Sequence, residues 1–190
     1  MNLKAQSVEE VLDQIQLFYQ QINTLKAEFL QETRFPSGKI ETRTGKLWMK
    51  KPGRLRWEYL SPEKFIILSD GKNFYLHYPE EQQTFSYSIH EYPASQLILG
   101  FMNGLRDLKK DLRLESFKIL EKDFWEIHFV PNFKDNLNIA KIILIVTSNK
   151  GEVKQIQVVY TTGERVKINF KKVEYNLILK DSIFNVKSLN

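Results

Sequence analysis

The sequence predicts a mostly-β (α+β) protein, an open antiparallel half-barrel of about eleven strands covered by a helical lid. Three observations carry that prediction. Apolar spacing switches from steps of three and four to a step of two at Thr24. Turn signals then recur at short intervals almost to the end of the chain. One stretch, about Pro93 to Lys110, loses the alternation and regains helical spacing.

Val8, Val11, Leu12, Ile15, Tyr19 and Ile22 form a single apolar stripe, with Glu9, Glu10, Asp13, Gln16 and Gln20 on the other side. Ser7 is placed to cap this helix, and Glu10 three residues later completes a capping box. Beyond Thr24, Pro36-Ser37-Gly38, Pro52-Gly53, Ser61-Pro62, Asp70-Gly71, Pro79-Glu80, Asn149-Lys150-Gly151 and Thr162-Gly163 separate short β-rich runs. Asp70-Gly71 is the strongest hairpin signal, and a type I′ turn with positive φ at both central positions is expected there. In the interruption, Leu97, Ile98, Phe101, Met102 and Leu105 keep helical spacing, weakened by Gly100 and Gly104. Strands are then expected over Arg113–Leu120, Phe124–Val130, Lys141–Val146, Glu152–Tyr160 and Arg165–Phe170, with a last one near Phe184–Val186. No repeat or linker divides the chain, so residues 1–190 read as one domain. About eleven twisted antiparallel strands curl rather than lie flat, and two helical segments are available to cover the open mouth.

Composition narrows the function. The chain has 190 residues, 42% hydrophobic and 27% charged, with 13 Phe and 8 Tyr, which suits a β-rich globule with a large apolar interior. A formal charge of +5 permits contact with anionic partners but is equally a solubility feature. No apolar run is long enough to span a membrane as a helix. Met1-Asn2-Leu3-Lys4 runs straight into polar residues without a secretory pattern, which taken literally points to the cytoplasm. The chain has no Cys, so disulfides, thiol nucleophiles, Cys-type metal sites and an amino-terminal lipid anchor are excluded for it.

Nothing in the sequence makes a case for catalysis. His77, His90 and His128 lack metal-ligand spacing, and no Gly-rich phosphate loop or Gly-x-Ser-x-Gly elbow is present. The expectation is no enzyme activity, no metal and no cofactor. In the run from Lys50 to Tyr59, alternation puts Leu55, Trp57 and Tyr59 on one face and Arg54, Arg56 and Glu58 on the other. Trp and Arg on opposite faces cannot act together on a nucleic-acid strand, so no nucleic-acid partner is expected. Lys50, Lys51, Arg54 and Arg56 form a basic cluster that could instead dock a partner or anionic lipid.

An ordered set of residues resembles the LolA family. It comprises Phe29-Leu30-Gln31, the run Gly45-Lys46-Leu47-Trp48-Met49-Lys50-Lys51-Pro52-Gly53-Arg54-Leu55-Arg56-Trp57, Pro62, Ser69-Asp70-Gly71-Lys72, Gln82-Gln83, Ser95 to Gly100, and the segment near Phe184. The resemblance implies an incomplete barrel with a helical lid and a periplasmic, monomeric carrier of triacylated lipoproteins. Such a carrier is loaded by an inner-membrane ABC transporter and unloaded to an outer-membrane lipoprotein acceptor. By matching positions it implies an acyl-chain cavity lined by Leu55, Trp57 and Tyr59, with Leu97, Ile98, Phe101 and Met102 facing it from the lid. It also implies that Lys51, where Arg is common, is the lid latch. The other readings of the same barrel are the lipoprotein acceptor itself and a binder of some other apolar ligand.

Overall fold

The computed structural model describes residues 7–88, 108–121, 123–132 and 138–189. Helix α1 (Val8–Gln21) opens the chain, capped as the sequence requires: Ser7 N–H donates to Glu10 Oε2 at 2.8 Å and Glu10 N–H to Ser7 Oγ at 3.2 Å. Strands β1 (Thr24–Arg34), β2 (Ile40–Lys50), β3 (Arg54–Ser61), β4 (Phe65–Asp70), β5 (Asn73–Tyr78) and β6 (Gln83–Ser88) follow. A one-turn helix α2 (Leu108–Asp111) leads into β7 (Leu112–Glu121), β8 (Phe124–Pro131), β9 (Ile139–Thr147), β10 (Val153–Tyr160) and β11 (Arg165–Tyr175).

All eleven strands join one antiparallel sheet in the order β6-β5-β4-β3-β2-β1-β11-β10-β9-β8-β7. The sheet is not closed: β6 and β7 are its two edges. Curvature is built in at the middle, where β1 and β11 slip register between Lys26 and Glu28 and Lys172 takes φ 48°. A bulge of this kind sharpens the local twist and bends the strand.

Alternation along the strands buries one face. Leu25, Ala27 and Phe29 on β1, Leu47 and Met49 on β2, Leu55 and Trp57 on β3, and Ile127 and Phe129 on β8 all point inward. Helix α1 lies on that inner face through Val8, Val11, Leu12, Ile15 and Tyr19. Its seat is specific. Tyr19 is 2% exposed, and its hydroxyl accepts the Val153 N–H at 3.1 Å. Beneath it Gly151, at φ 72°, approaches so closely that an added Cβ would lie 2.5 Å from the Ile15 nitrogen.

Two expectations need correction. The segment near Phe184–Val186 is not a strand: it forms two 3₁₀ turns, Asp181–Phe184 and Val186–Leu189. It follows β11, which is already flanked by β1 and β10 in the middle of the sheet, and it packs on the outer face of β3 and β4 instead. The β4–β5 hairpin forms as expected, but its two-residue loop is Gly71-Lys72 and only Gly71 has positive φ, 96°. Asp70 replaces the second left-handed residue by accepting the Lys72 and Asn73 N–H groups at 2.8 and 2.9 Å.

The basic cluster of the sequence is spent inside the chain. Lys50 Nζ donates to Leu179 O at 3.0 Å and to Asp181 Oδ1 at 2.6 Å, and Arg54 meets the same carboxylate at 2.8 Å. Arg56 donates to Ile183 O at 3.1 Å and Ser188 Oγ at 2.9 Å while pairing with Glu58. With Phe184 and Leu189 buried, these contacts strap the carboxy-terminal segment to the outer face.

Two measurements check this packing. Gly151→Ala is compared with Gly38→Ala, where φ is also positive but nothing lies within 4 Å of the added carbon. Both substitutions carry the left-handed strain of about 1 kcal/mol or more. Only Gly151→Ala also pushes α1 off its seat, an overpacking cost of roughly 2 kcal/mol. The expected excess loss in Tm is about 4–8 °C. The second concerns Asp181, whose carboxyl is held below its usual range by hydrogen bonds from Lys50 and then Arg54. A depressed carboxylate stabilises docking above its ordinary pKa of about 4 and loses that contribution as pH falls through the lowered value. The amide resonance of Ser188 therefore shifts on acidification below about pH 4, and in Asp181→Asn it is already shifted at neutral pH.

The inner face and its apolar pocket

The three β3 residues lie where alternation puts them. Leu55, Trp57 and Tyr59 face inward and are 1%, 6% and 9% exposed. They are a floor more than an open wall. The Trp57 ring lies 5.0 Å from Phe29 and 6.3 Å from Tyr59, and Tyr59 stacks on Phe65 at 4.1 Å. Gly45, opposite Phe29 and Tyr59 in the ladder, makes this possible: a Cβ there would overlap both the Glu58 carbonyl and the Phe29 ring.

Strand register extends the same face outward. Trp57 pairs with Ile67 and Tyr59 with Phe65, while Ile67 pairs with Leu76 and Ser69 with Phe74. Phe74 in turn pairs with Tyr87 and Leu76 with Phe85. Here the face is not filled by the described residues. A cavity of about 200 Å³ opens beside Phe65, Ile67, Phe74, Leu76, Tyr78 and Tyr87, and Phe85 is 46% exposed at the β6 edge. Every one of these lining side chains is apolar or aromatic, so the cavity offers dispersion contact and a dry wall rather than a charge relay.

Sequence reasoning named the floor and missed this wall. The signal was present as plain alternation, Phe65/Ile67, Phe74/Leu76/Tyr78 and Phe85/Tyr87, but alternation reads the same for a filled core and for an open pocket. Leu97, Ile98, Phe101 and Met102 lie outside the described residues, as does His90. Lys51 does not line the pocket. Its Nζ donates to the Tyr19 and Gln20 carbonyls at 2.5 and 3.1 Å, which satisfies the carboxy-terminal end of α1. Burial holds its ammonium group below the ordinary lysine value.

A polar end borders the pocket on the side away from α1. The Tyr59 hydroxyl donates to Gln31 Oε1 at 2.9 Å, and Gln31 Nε2 donates to Thr33 Oγ1 at 3.2 Å. Burial raises the Tyr59 hydroxyl, and the nearby Arg43 charge opposes this only in part. The two described histidines take no part. His77 is 3% exposed on the outer face, its Nδ1 2.9 Å from Thr84 Oγ1, and His128 sits 2.7 Å from Glu126. Among the described residues no group of His, Cys, Asp and Glu could hold a metal ion.

Comparison with known proteins agrees with this architecture. The family model "Outer membrane lipoprotein carrier protein LolA" matches residues 20–187. An outer-membrane lipoprotein carrier protein from Dechloromonas aromatica is 29% identical over 178 residues, 91% of this chain and 81% of that protein. One from Pseudomonas putida is 27% identical over 190 residues, 96% of this chain and 84% of that protein. Among solved structures, a DUF1329 family protein from Desulfovibrio piger superposes with a TM-score of 0.58 at 13% identity, covering 96% of this chain and 99% of that one. A LolA superfamily protein from Nitrosomonas europaea superposes with a TM-score of 0.53 at 11% identity, covering 97% and 100%. At such identities the structural likeness is one of fold. With the family model spanning nearly the whole strand framework, the chain belongs to the LolA family of outer membrane lipoprotein carrier proteins.

Proposed function

We propose that the protein is a periplasmic carrier, acting as one domain and as a monomer, that shelters lipoprotein acyl chains against the inner face of its half-barrel. The single observation that carries this reading is a predominantly apolar pocket, open among the described residues, on the inner face of a sheet that does not close. Each methylene taken from water contributes about 0.8 kcal/mol, so even part of one acyl chain supplies several kcal/mol there. Pocket walls from Phe65 to Tyr87, continuous with the floor of Leu55, Trp57 and Tyr59, suit a flexible chain better than a rigid planar ligand. Leu97, Ile98, Phe101 and Met102, which the family resemblance assigns to the lid side, lie outside the described residues. The carrier makes and breaks no covalent bond. Its cargo is a triacylated lipoprotein, taken from an inner-membrane ABC transporter and passed to an outer-membrane acceptor, as in the carrier proteins it resembles.

Lys51 acts as the latch of α1 in this reading. Its hydrogen bonds to the Tyr19 and Gln20 carbonyls support that reading. A cation at a helix carboxy terminus contributes about 0.3–1 kcal/mol, enough to bias a lid without locking it.

The test is gel filtration with a triacylated lipoprotein, its deacylated form serving as control. A soluble one-to-one complex is expected with the acylated cargo alone; persistent aggregation of that cargo beside free carrier would refute the reading. Ile67→Glu places a charge in the pocket wall and is expected to weaken the complex at least tenfold, while the far-ultraviolet circular dichroism of the sheet stays native. Lys51→Met is expected to speed hydrogen exchange in the last turn of α1 about two- to fivefold, which corresponds to about 0.4–1 kcal/mol and falls within the helix-terminus range.

A further inference from the structure

Two donors on the inner face lack an acceptor. Arg43 sits on β2 in phase with Gly45, Leu47 and Met49 and opposite the buried Gln31, so its side chain enters the half-barrel. Its Nη2 reaches Glu41 at 3.4 Å, but Glu41 is shared with Lys39, which lies closer at 2.7 Å. The buried Nε–H of Arg43 has no partner among the described residues, and neither has the Nε1–H of Trp57. A buried donor left unmatched is costly, and both unmatched groups on the strands are donors, the remaining unmatched buried atom among the described residues being Gln14 Oε1 on α1. The group that would satisfy them is an acceptor oxygen.

The location says which oxygen. The Arg43 guanidinium lies 5.8 Å from the centroid of Phe65, and Phe65 is at once a wall of the apolar pocket and the stacking partner of Tyr59. A tail in the pocket therefore ends within reach of a guanidinium fork. We propose that Arg43 binds the acyl oxygen of the cargo, the ester or amide carbonyl at the end of a chain held by Phe65, Ile67, Phe74 and Leu76, with the Trp57 N–H as an auxiliary donor on the same face. This rests on the acyl-pocket reading and sharpens it: the cavity takes an amphiphile with an oxygen acceptor at its head, and rejects one with a cationic head. Arg suits the task because its donors are fixed in a plane that fits carboxylate and carbonyl oxygens, and because it stays charged while half-buried.

Three ligands with the same twelve-carbon tail test it, each displacing the uncharged fluorophore N-phenyl-1-naphthylamine below its aggregation concentration. Dodecanoate, methyl dodecanoate and dodecyltrimethylammonium should bind in that order, with dodecanoate preferred over the cation by roughly tenfold or more, as a charge-assisted hydrogen bond implies. Arg43→Met should collapse that spread to within about twofold while N-phenyl-1-naphthylamine itself still binds, and Arg43→Lys should restore the preference for dodecanoate over the cation but not for the ester. Sodium acetate, the head without the tail, should leave dodecanoate binding unchanged at equal concentration; competition by acetate would show a free-anion site and overturn the coupling of head to pocket. An unchanged order in Arg43→Met would overturn the role of Arg43 and leave the acyl pocket standing. Failure of all three ligands to displace the fluorophore from the wild-type chain would instead overturn the pocket itself.

Discussion

A curled sheet with one apolar face must set something against that face, and here the supply is short. Eleven strands present inward-facing side chains over a surface that the fourteen-residue helix α1 covers only in part. Closure would solve the problem by letting the sheet fold onto itself, as in a complete barrel. The edges β6 and β7 do not pair, so the inner face stays divided between a region packed under α1 and a region that is not. The position of that division follows from where α1 is pinned. Gly151 admits its backbone, Tyr19 ties it to Val153, and Lys51 closes its last turn, all at one end of the strands. The pocket lies beyond that covered end, toward β6.

The outer face shows the reverse economy. It is covered by short contacts from the carboxy-terminal segment, and the cationic residues that look like a docking patch in the sequence are consumed in holding it. Exposed ion pairs such as those of Asp181 contribute little individually. The strap is held more by Arg56, whose side chain is only 14% exposed and which donates to a backbone carbonyl and a hydroxyl, and by burial of Phe184, worth roughly 2–3 kcal/mol. Among the described residues, the unmatched strand donors and the apolar pocket then lie on the inner face.

Much of this was legible in the residues. The capped helix, the succession of hairpins and the inward set Leu55, Trp57 and Tyr59 follow from period and turn chemistry, because those rules act over a few neighbours. What escaped depends on distant partners. Phe184 sits in a stretch with strand-like composition, but whether it joins the sheet depends on an open edge beside it, and β11, which it follows, is already flanked by β1 and β10. Asp70 supplies an acceptor that made a second left-handed residue unnecessary, a substitution of side chain for backbone that dipeptide rules do not resolve. The pocket wall reads as core because alternation reports direction and not occupancy. Arg43 escaped for the opposite reason: an arginine in a strand reads as solvent-facing, although its phase with Leu47 and Met49 and its pairing with Gln31 turn it inward.

The energies decide which element can control loading. Helix α1 buries five apolar side chains, and stripping it from the sheet would cost on the order of 10 kcal/mol at about 2 kcal/mol for each. One acyl chain of about fifteen methylenes, fully buried, returns about 12 kcal/mol on the same scale. The two are close enough that a multiply acylated cargo could displace the helix and a deacylated one could not, with no other source of energy required. The Lys51 contact, at about 1 kcal/mol or less, is too weak to decide that balance and is suited to tuning it. Its effect is a few-fold change in how often the helix end opens, which is the range in which a partner can act by favouring one state over the other.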